Sequence, residues 1–281
     1  MRARVLAPEI MDDAAQDFAA FSSALGDLER LNRMTLAYRP TLAWLDALVR
    51  RTGGAGRLSL LDVGAGGGDA LARIAAWGAA RGVALDLAAL DRSPHAAAHA
   101  RARHPDLRAR WITSDLFDLD PAERFDAVTC SLFAHHLDDG GVVRFLRWLD
   151  DRATRSWLIT DLHRHRLSWF GVWAGTRLLR MDPMVRHDGP VSIARGFRRA
   201  DWTRLVAEAG VRAEVRWVFP FRWAIEGGPA LSGRAEGADG GSGGGGEAGA
   251  DGRDRAEADH GGRPGCGRTD ADGGGGGGDG D

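Results

Sequence analysis

The 281 residues carry 37 basic and 39 acidic side chains for a net charge of −2, with 44% hydrophobic residues and two cysteines. No run of about 18 apolar residues occurs, so no membrane-spanning helix is expected, and Cys130 and Cys266 are too few to make a disulfide framework. Residues 228–281 hold five arginines against eleven carboxylates, which leaves residues 1–227 at +4, too mildly basic to mark a nucleic-acid binder.

Every basic residue is arginine, so a single arginine carries less functional meaning than usual. The start, MRARVLAPEIMDDAAQ, lacks the apolar core of a signal peptide. With so few cysteines a reducing, cytoplasmic setting is expected.

From about Asp12 to Arg51 the pattern predicts two helices. Phe18, Phe21, Leu25, Leu28 and Leu31 recur every three to four residues, and Leu42, Leu45, Leu48 and Val49 do so after Pro40. Residues 1–57 thus read as a helical cover. Beyond a glycine-rich connection the pattern changes to short apolar runs alternating with helical stretches. The runs are LSLLDVG, VALDLAALD, ARWITSD, FDAVTCSLF and SWLITDL, with helices over 69–80, 94–103 and 140–152. Two closing strands follow near Val211–Val218 and Phe221–Ile225, after a helix ending at Gly210. Seven strands of this kind predict an α/β, doubly wound, Rossmann-like, mostly parallel sheet over 58–227, with helices on both faces and the last strand antiparallel. Within it an apolar insertion of about 163–190 is expected to be helical at LSWFGVWAGTRLLRM and a loop from Pro183 to Pro190. Residues 228–281, rich in Gly, Asp and Ala, read as a disordered acidic tail whose removal leaves ligand affinity unchanged.

The most informative stretch is LLDVGAGGGDALARIA. An apolar strand ends at Asp62, glycines stand at 64, 66, 67 and 68, and a helix opens at Asp69. A dinucleotide loop fits poorly, because its third small residue would fall at Asp69. A carboxylate there would repel a pyrophosphate seated on the helix start. The pattern that fits is acidic–x–Gly–x–Gly–x–Gly, at Asp62, Gly64, Gly66 and Gly68.

This segment resembles motif I of the class I S-adenosylmethionine-dependent methyltransferases, and the similarity extends over about Leu58 to Ile225. The run FDAVTCSLFAHHL is similar to motif IV of the group that includes the ubiquinone and menaquinone biosynthesis methyltransferases. The resemblance implies S-adenosyl-L-methionine as cofactor. Asp62 and the three glycines would lie at its methionine part, Asp91 with neighbouring Arg92 at the ribose, Asp115 and Leu116 at the adenine, and Ser131 at the end of the fourth strand. It also implies methyl transfer to oxygen or carbon of a small, apolar or aromatic acceptor, lipid-like or polyketide- or quinone-like.

A hydroxyl acceptor calls for a general base, and histidine titrates in the right range. His135, after the fourth strand, and His163, after the fifth, are the candidates; both could equally serve packing. No metal is expected from the spacing of His135, His136, His163 and His165. Trp169, Phe170, Trp173, Leu178, Leu179 and Met184 make the insertion either an apolar acceptor cover, able to rest on a membrane surface beside Arg166, Arg177 and Arg180, or simply part of the core. Two competing readings remain, a nicotinamide-dependent oxidoreductase and a non-catalytic relative that only binds the cofactor.

Overall fold

The computed structural model describes residues 3–13, 17–54 and 56–231. The chain divides into units Met1–Gly241 and Ser242–Asp281, and all that follows concerns the first. The acidic tail expected from 228 onward lies outside the described residues from 232.

Two helices, α1 (Phe18–Met34) and α2 (Arg39–Arg51), precede the sheet. Helix α1 starts at Phe18, where the apolar periodicity begins and later than the expected bound of about Asp12, because Asp17 caps it, accepting from the backbone N–H of Ala19 and Ala20. The sheet then builds as β1 (Arg57–Val63), α3 (Asp69–Arg81), β2 (Ala84–Asp91), α4 (Pro94–Arg103), β3 (Arg110–Thr113), β4 (Phe125–Ser131), α5 (Asp139–Arg152) and β5 (Ala153–Leu162). After it come α6 (Arg166–Leu178), α7 (Pro183–Arg195), α8 (Arg199–Ala209), β6 (Ala213–Val218) and β7 (Arg222–Gly227).

Strand order is β3-β2-β1-β4-β5-β7-β6, with β7 antiparallel to both neighbours. The expected doubly wound, Rossmann-like, mostly parallel arrangement with an antiparallel last strand is present. Alternation along β1 shows how the layers form. Leu58 and Leu60 pack under α2 and α3, whereas Leu61 and Val63 pack under α5 and α8. The winding reverses between β1 and β4, which opens a crevice beyond their carboxyl ends. Among the described residues no helix is long and apolar enough to cross a membrane.

The segment 183–190, expected as a loop, is instead the first part of α7. Pro183 sits in the first turn, where its missing N–H is not needed, and Asp182 caps Met184. Pro190 does remove an internal bond, the one Arg186 would accept. The Arg177 guanidinium of α6 donates to that Arg186 carbonyl at 3.4 Å. A neighbouring helix therefore supplies what the sequence alone withholds. Met181, Met184 and Val185 pack against Ala24 of α1, closing a small third core above the crevice.

Candidate functional site

The turn after β1 follows from its glycines. Gly64 and Gly68 hold φ of +69° and +74°, a region side chains avoid, and a Cβ on Gly64 would come within 2.8 Å of the Phe133 ring. The turn is tied to the next strand: Gly64 and Ala65 N–H donate to the Leu90 carbonyl at 2.8 and 3.2 Å. Asp91 completes the tie. One carboxylate oxygen accepts from Gly66 N–H and the other from Ser93 N–H, both at 2.8 Å. Burial raises its pKa, and these two N–H groups oppose that rise.

Three carboxylates crowd this corner. Asp62 is buried, and burial first, then the charges of Asp69 and Asp91, push its pKa well above the carboxylate range. Among the described residues no basic side chain pairs with it. Asp69, at the start of α3, accepts from the Tyr38 hydroxyl at 2.5 Å and from Asn32 at 3.2 Å. Tyr38, the only tyrosine, thereby joins the helical cover to the glycine turn. A buried carboxylate without a counter-ion is costly, and the raised pKa reflects that cost by favouring the protonated acid.

Asn32, Asp69 and Asp91 border a cavity of about 600 Å³ at the carboxyl ends of the strands. Of the residues expected to hold a cofactor, Gly64, Gly66, Asp91 and Arg92 line it on one side, and Asp115, Leu116 and Ser131 line it on another. Asp62 and Gly68 stand just behind the wall. Asp115 is exposed and caps its own turn by accepting from Phe117 N–H at 2.9 Å. Ser131 accepts from the Thr160 hydroxyl at 3.0 Å, and Leu132 beside it takes a φ of +57°, a strained position for a branched side chain.

The two candidate histidines part company. His135 enters the cavity wall from a single helical turn, Ala134–His136. Its backbone N–H and Nδ1 both bind the Asp161 carboxylate, at 3.1 and 2.8 Å. Burial works to raise the Asp161 pKa, but the His135 charge and these hydrogen bonds hold it below its ordinary value. His163 does not reach the wall. It packs edge-on against Trp223, receives the Trp217 indole N–H at 3.3 Å, and is held below its ordinary pKa by burial and by His165.

The sequence offered no sign of several other groups. Residues 4–13 run over the far end of the cavity, where Asp188 of α7 accepts from Ile10 and Met11 N–H at 2.9 and 3.0 Å. Arg195 spans the gap, donating to the carbonyls of Ala7, His135 and His136 and to Asp12. This strap brings Glu9 to within 3.7 Å of His135 and 3.9 Å of His136. Burial lifts the Glu9 carboxyl to about 7, against the lowering effect of His136 and Arg195. Arg222 on β7 is fully buried, which lowers its pKa to about 10. It donates to Thr35 at 3.0 Å, while its Nε and Nη1 have no partner.

Residues 60–152 match a family model described as a methyltransferase domain. A search of curated proteins returns no match. The fold is similar to human N-acetylserotonin methyltransferase in complex with SAM, at 15% identity, 75% of this chain, 56% of that chain and a TM-score of 0.53. It is also similar to an O-methyltransferase family protein from Burkholderia thailandensis (17%, 76%, 60%, 0.52). A third is a SAM dependent methyltransferase from Aquifex aeolicus (17%, 73%, 97%, 0.51). This chain spans less than two thirds of the first two proteins' length. These likenesses show the Rossmann-like fold, and the methyltransferase-domain match covers residues 60–152 within it.

Proposed function

We propose that the chain transfers a methyl group from S-adenosylmethionine to a small, apolar or aromatic acceptor, at oxygen or carbon. The observation that carries this reading is Asp62, buried without a cation behind a glycine turn and flanked by Asp69 and Asp91. A pyrophosphate would be repelled there; a ligand bearing an ammonium and a sulfonium is welcome. The methyltransferase-domain match over the same turn supports it.

When bound, the sulfonium supplies an already activated methyl group. The protein's work is alignment and exclusion of water, and alignment alone can contribute about 7–11 kcal/mol. On this reading Asp91 accepts the ribose hydroxyls beside Arg92, and Asp115 faces the adenine amino group next to Leu116. Gly64, Gly66 and Gly68 let the backbone approach the methionine part, near Asp62 and Ser131. Arg222, with two unpartnered donors in the cavity wall, suits the ligand's carboxylate. His135, held by Asp161 with Nε2 free of that bond, meets the acceptor's nucleophile. His163, outside the cavity lining and packed against Trp217 and Trp223, is the weaker candidate for that role.

The acceptor's character is read from α6, whose Leu167, Phe170 and Leu178 are exposed, Leu178 by 83%. Arg177 lies over the Trp173 ring at 4.7 Å. An apolar face edged by arginine suits a lipid-like, polyketide-like or quinone-like acceptor and peripheral contact with a membrane.

Titration of the purified chain with S-adenosylhomocysteine, NAD and NADP tests the reading. Heat with the sulfur nucleoside alone is expected. Heat with a nicotinamide dinucleotide alone would overturn it in favour of an oxidoreductase. A labelled-methyl acceptor screen without any product would favour a cofactor-binding relative that does no chemistry.

A further inference from the structure

We infer that Glu9, His135 and His136 form a binding site for a divalent transition-metal ion at the acceptor end of the cavity. Each offers one ligand atom, and the three atoms lie within 4.8 Å of one another. Two imidazoles and one carboxylate are a donor set suited to zinc, manganese, iron or cobalt.

Three independent features distinguish this cluster from a chance meeting. First, both rings are aimed. His135 Nδ1 lies 2.8 Å from Asp161 and His136 Nδ1 lies 2.8 Å from Asp12, so each Nδ1 faces a carboxylate and each Nε2 turns toward Glu9. A carboxylate behind a ligating histidine fixes its tautomer and orientation and raises its basicity. Second, Glu9 is 7% exposed and its Oε1 has no hydrogen-bond partner. A buried acceptor left in this state costs about 1–3 kcal/mol unless something else satisfies it. Third, Glu9 is held in place by the Asp188 and Arg195 bonds to the strap on either side of it.

Glu9 Oε1 lies 3.7 Å from His135 Nε2 and Glu9 Oε2 lies 3.9 Å from His136 Nε2, while the three ligand atoms, one from each residue, stand within 4.8 Å of one another, so side-chain rotation must draw them in by up to about 1.5 Å. Metal–ligand bonds of about 2.0–2.1 Å give a tetrahedral edge of roughly 3.3 Å. The Arg195 guanidinium lies 3.6 Å from Glu9 Oε1, but its donors are engaged by three carbonyls and Asp12. Against its one charge stand Asp12 and Asp161, both held below the ordinary carboxylate pKa, so the surroundings are negative before Glu9 is counted. Three protein ligands leave a position open toward the cavity, so the ion would hold an oxygen of the acceptor, a phenol, hydroxyl or carboxylate, and with the ion bound His135 Nε2 is a ligand and no longer meets the nucleophile itself. That last step rests on the methyl-transfer reading; ion binding itself does not.

The test uses the full chain, stripped with chelator and titrated with Co²⁺ and Zn²⁺ in the absence of any nucleoside. One equivalent of each ion is expected, with Co²⁺ giving visible bands of nitrogen and oxygen coordination. Glu9→Gln and His136→Ala should each remove binding. Asp161→Asn should weaken it by about ten- to a hundredfold. His165→Ala should change nothing. Cooperative thermal melts establish that the variants fold, and S-adenosylhomocysteine titration of the same samples reports separately on the methyltransferase reading. No stoichiometric binding by the unaltered chain, or binding unchanged in folded Glu9→Gln and His136→Ala, would overturn the inference.

Discussion

Replacing Asp91 with alanine gives the sharpest test of the cofactor corner. The carboxylate is almost fully enclosed, and each oxygen already accepts one backbone N–H at 2.8 Å, leaving a second lone pair on each for a ribose hydroxyl. Hydrogen bonds to a charged acceptor contribute about 1.5–3 kcal/mol each, so two lost bonds amount to roughly 3–6 kcal/mol. That corresponds to a Kd higher by about 10²–10⁴-fold. Asp91→Asn keeps one acceptor oxygen and should fall between the variant and the parent. Asp115→Ala removes one bond from an exposed residue, so about tenfold is the most it should cost. Calorimetric titration with S-adenosylhomocysteine reads all three, with thermal melts to confirm folding. A Kd for folded Asp91→Ala within threefold of the parent would refute the placement of the ribose.

Further predictions concern charge, packing and surface. Asp62 has a folded pKa raised above its unfolded value, so the stability tied to its proton is full at low pH and lost as pH rises through the folded value. A bound ammonium reverses that loss, so nucleoside affinity should rise with pH across the same window and binding should release a proton. Identical heats in buffers of different ionisation enthalpy would contradict this. Gly227→Ala places a Cβ into the buried Trp157 ring across the β5–β7 pair, and a loss of about 1–3 kcal/mol is expected by urea unfolding. Leu178→Asp should shift stability by no more than about 0.5 kcal/mol yet reduce sedimentation with anionic vesicles, and unchanged sedimentation would count against membrane contact.

Much of the fold was readable because its signals are local. Asp62, the alternating glycines and the strand ends fall within short windows, and the structure gathers them at one corner as their spacing suggested. The miss at 183–190 has a particular cause. Two prolines argue against a helix, but one sits at the start, and Arg177 from another helix covers the carbonyl that the other leaves open. The strap was invisible for a similar reason. Glu9 acquires its neighbours from chain more than a hundred residues away, and no periodicity surrounds it. His135 and His163 looked equivalent because both follow a strand; only the turn at Ala134–His136 carries one of them inward, while the other joins the rings of Trp217 and Trp223.

The clasp between Asp188 and the strap has a consequence for how the protein can diversify. On the proposed reading the donor's seat is made by strands and their glycine turn, whereas the opposite wall is made by residues 4–13 and α7, joined through a few polar contacts. Substitutions in that wall can reshape what is accepted without disturbing the grip on the donor. New specificities should therefore arise there first, at little risk to the sheet beneath.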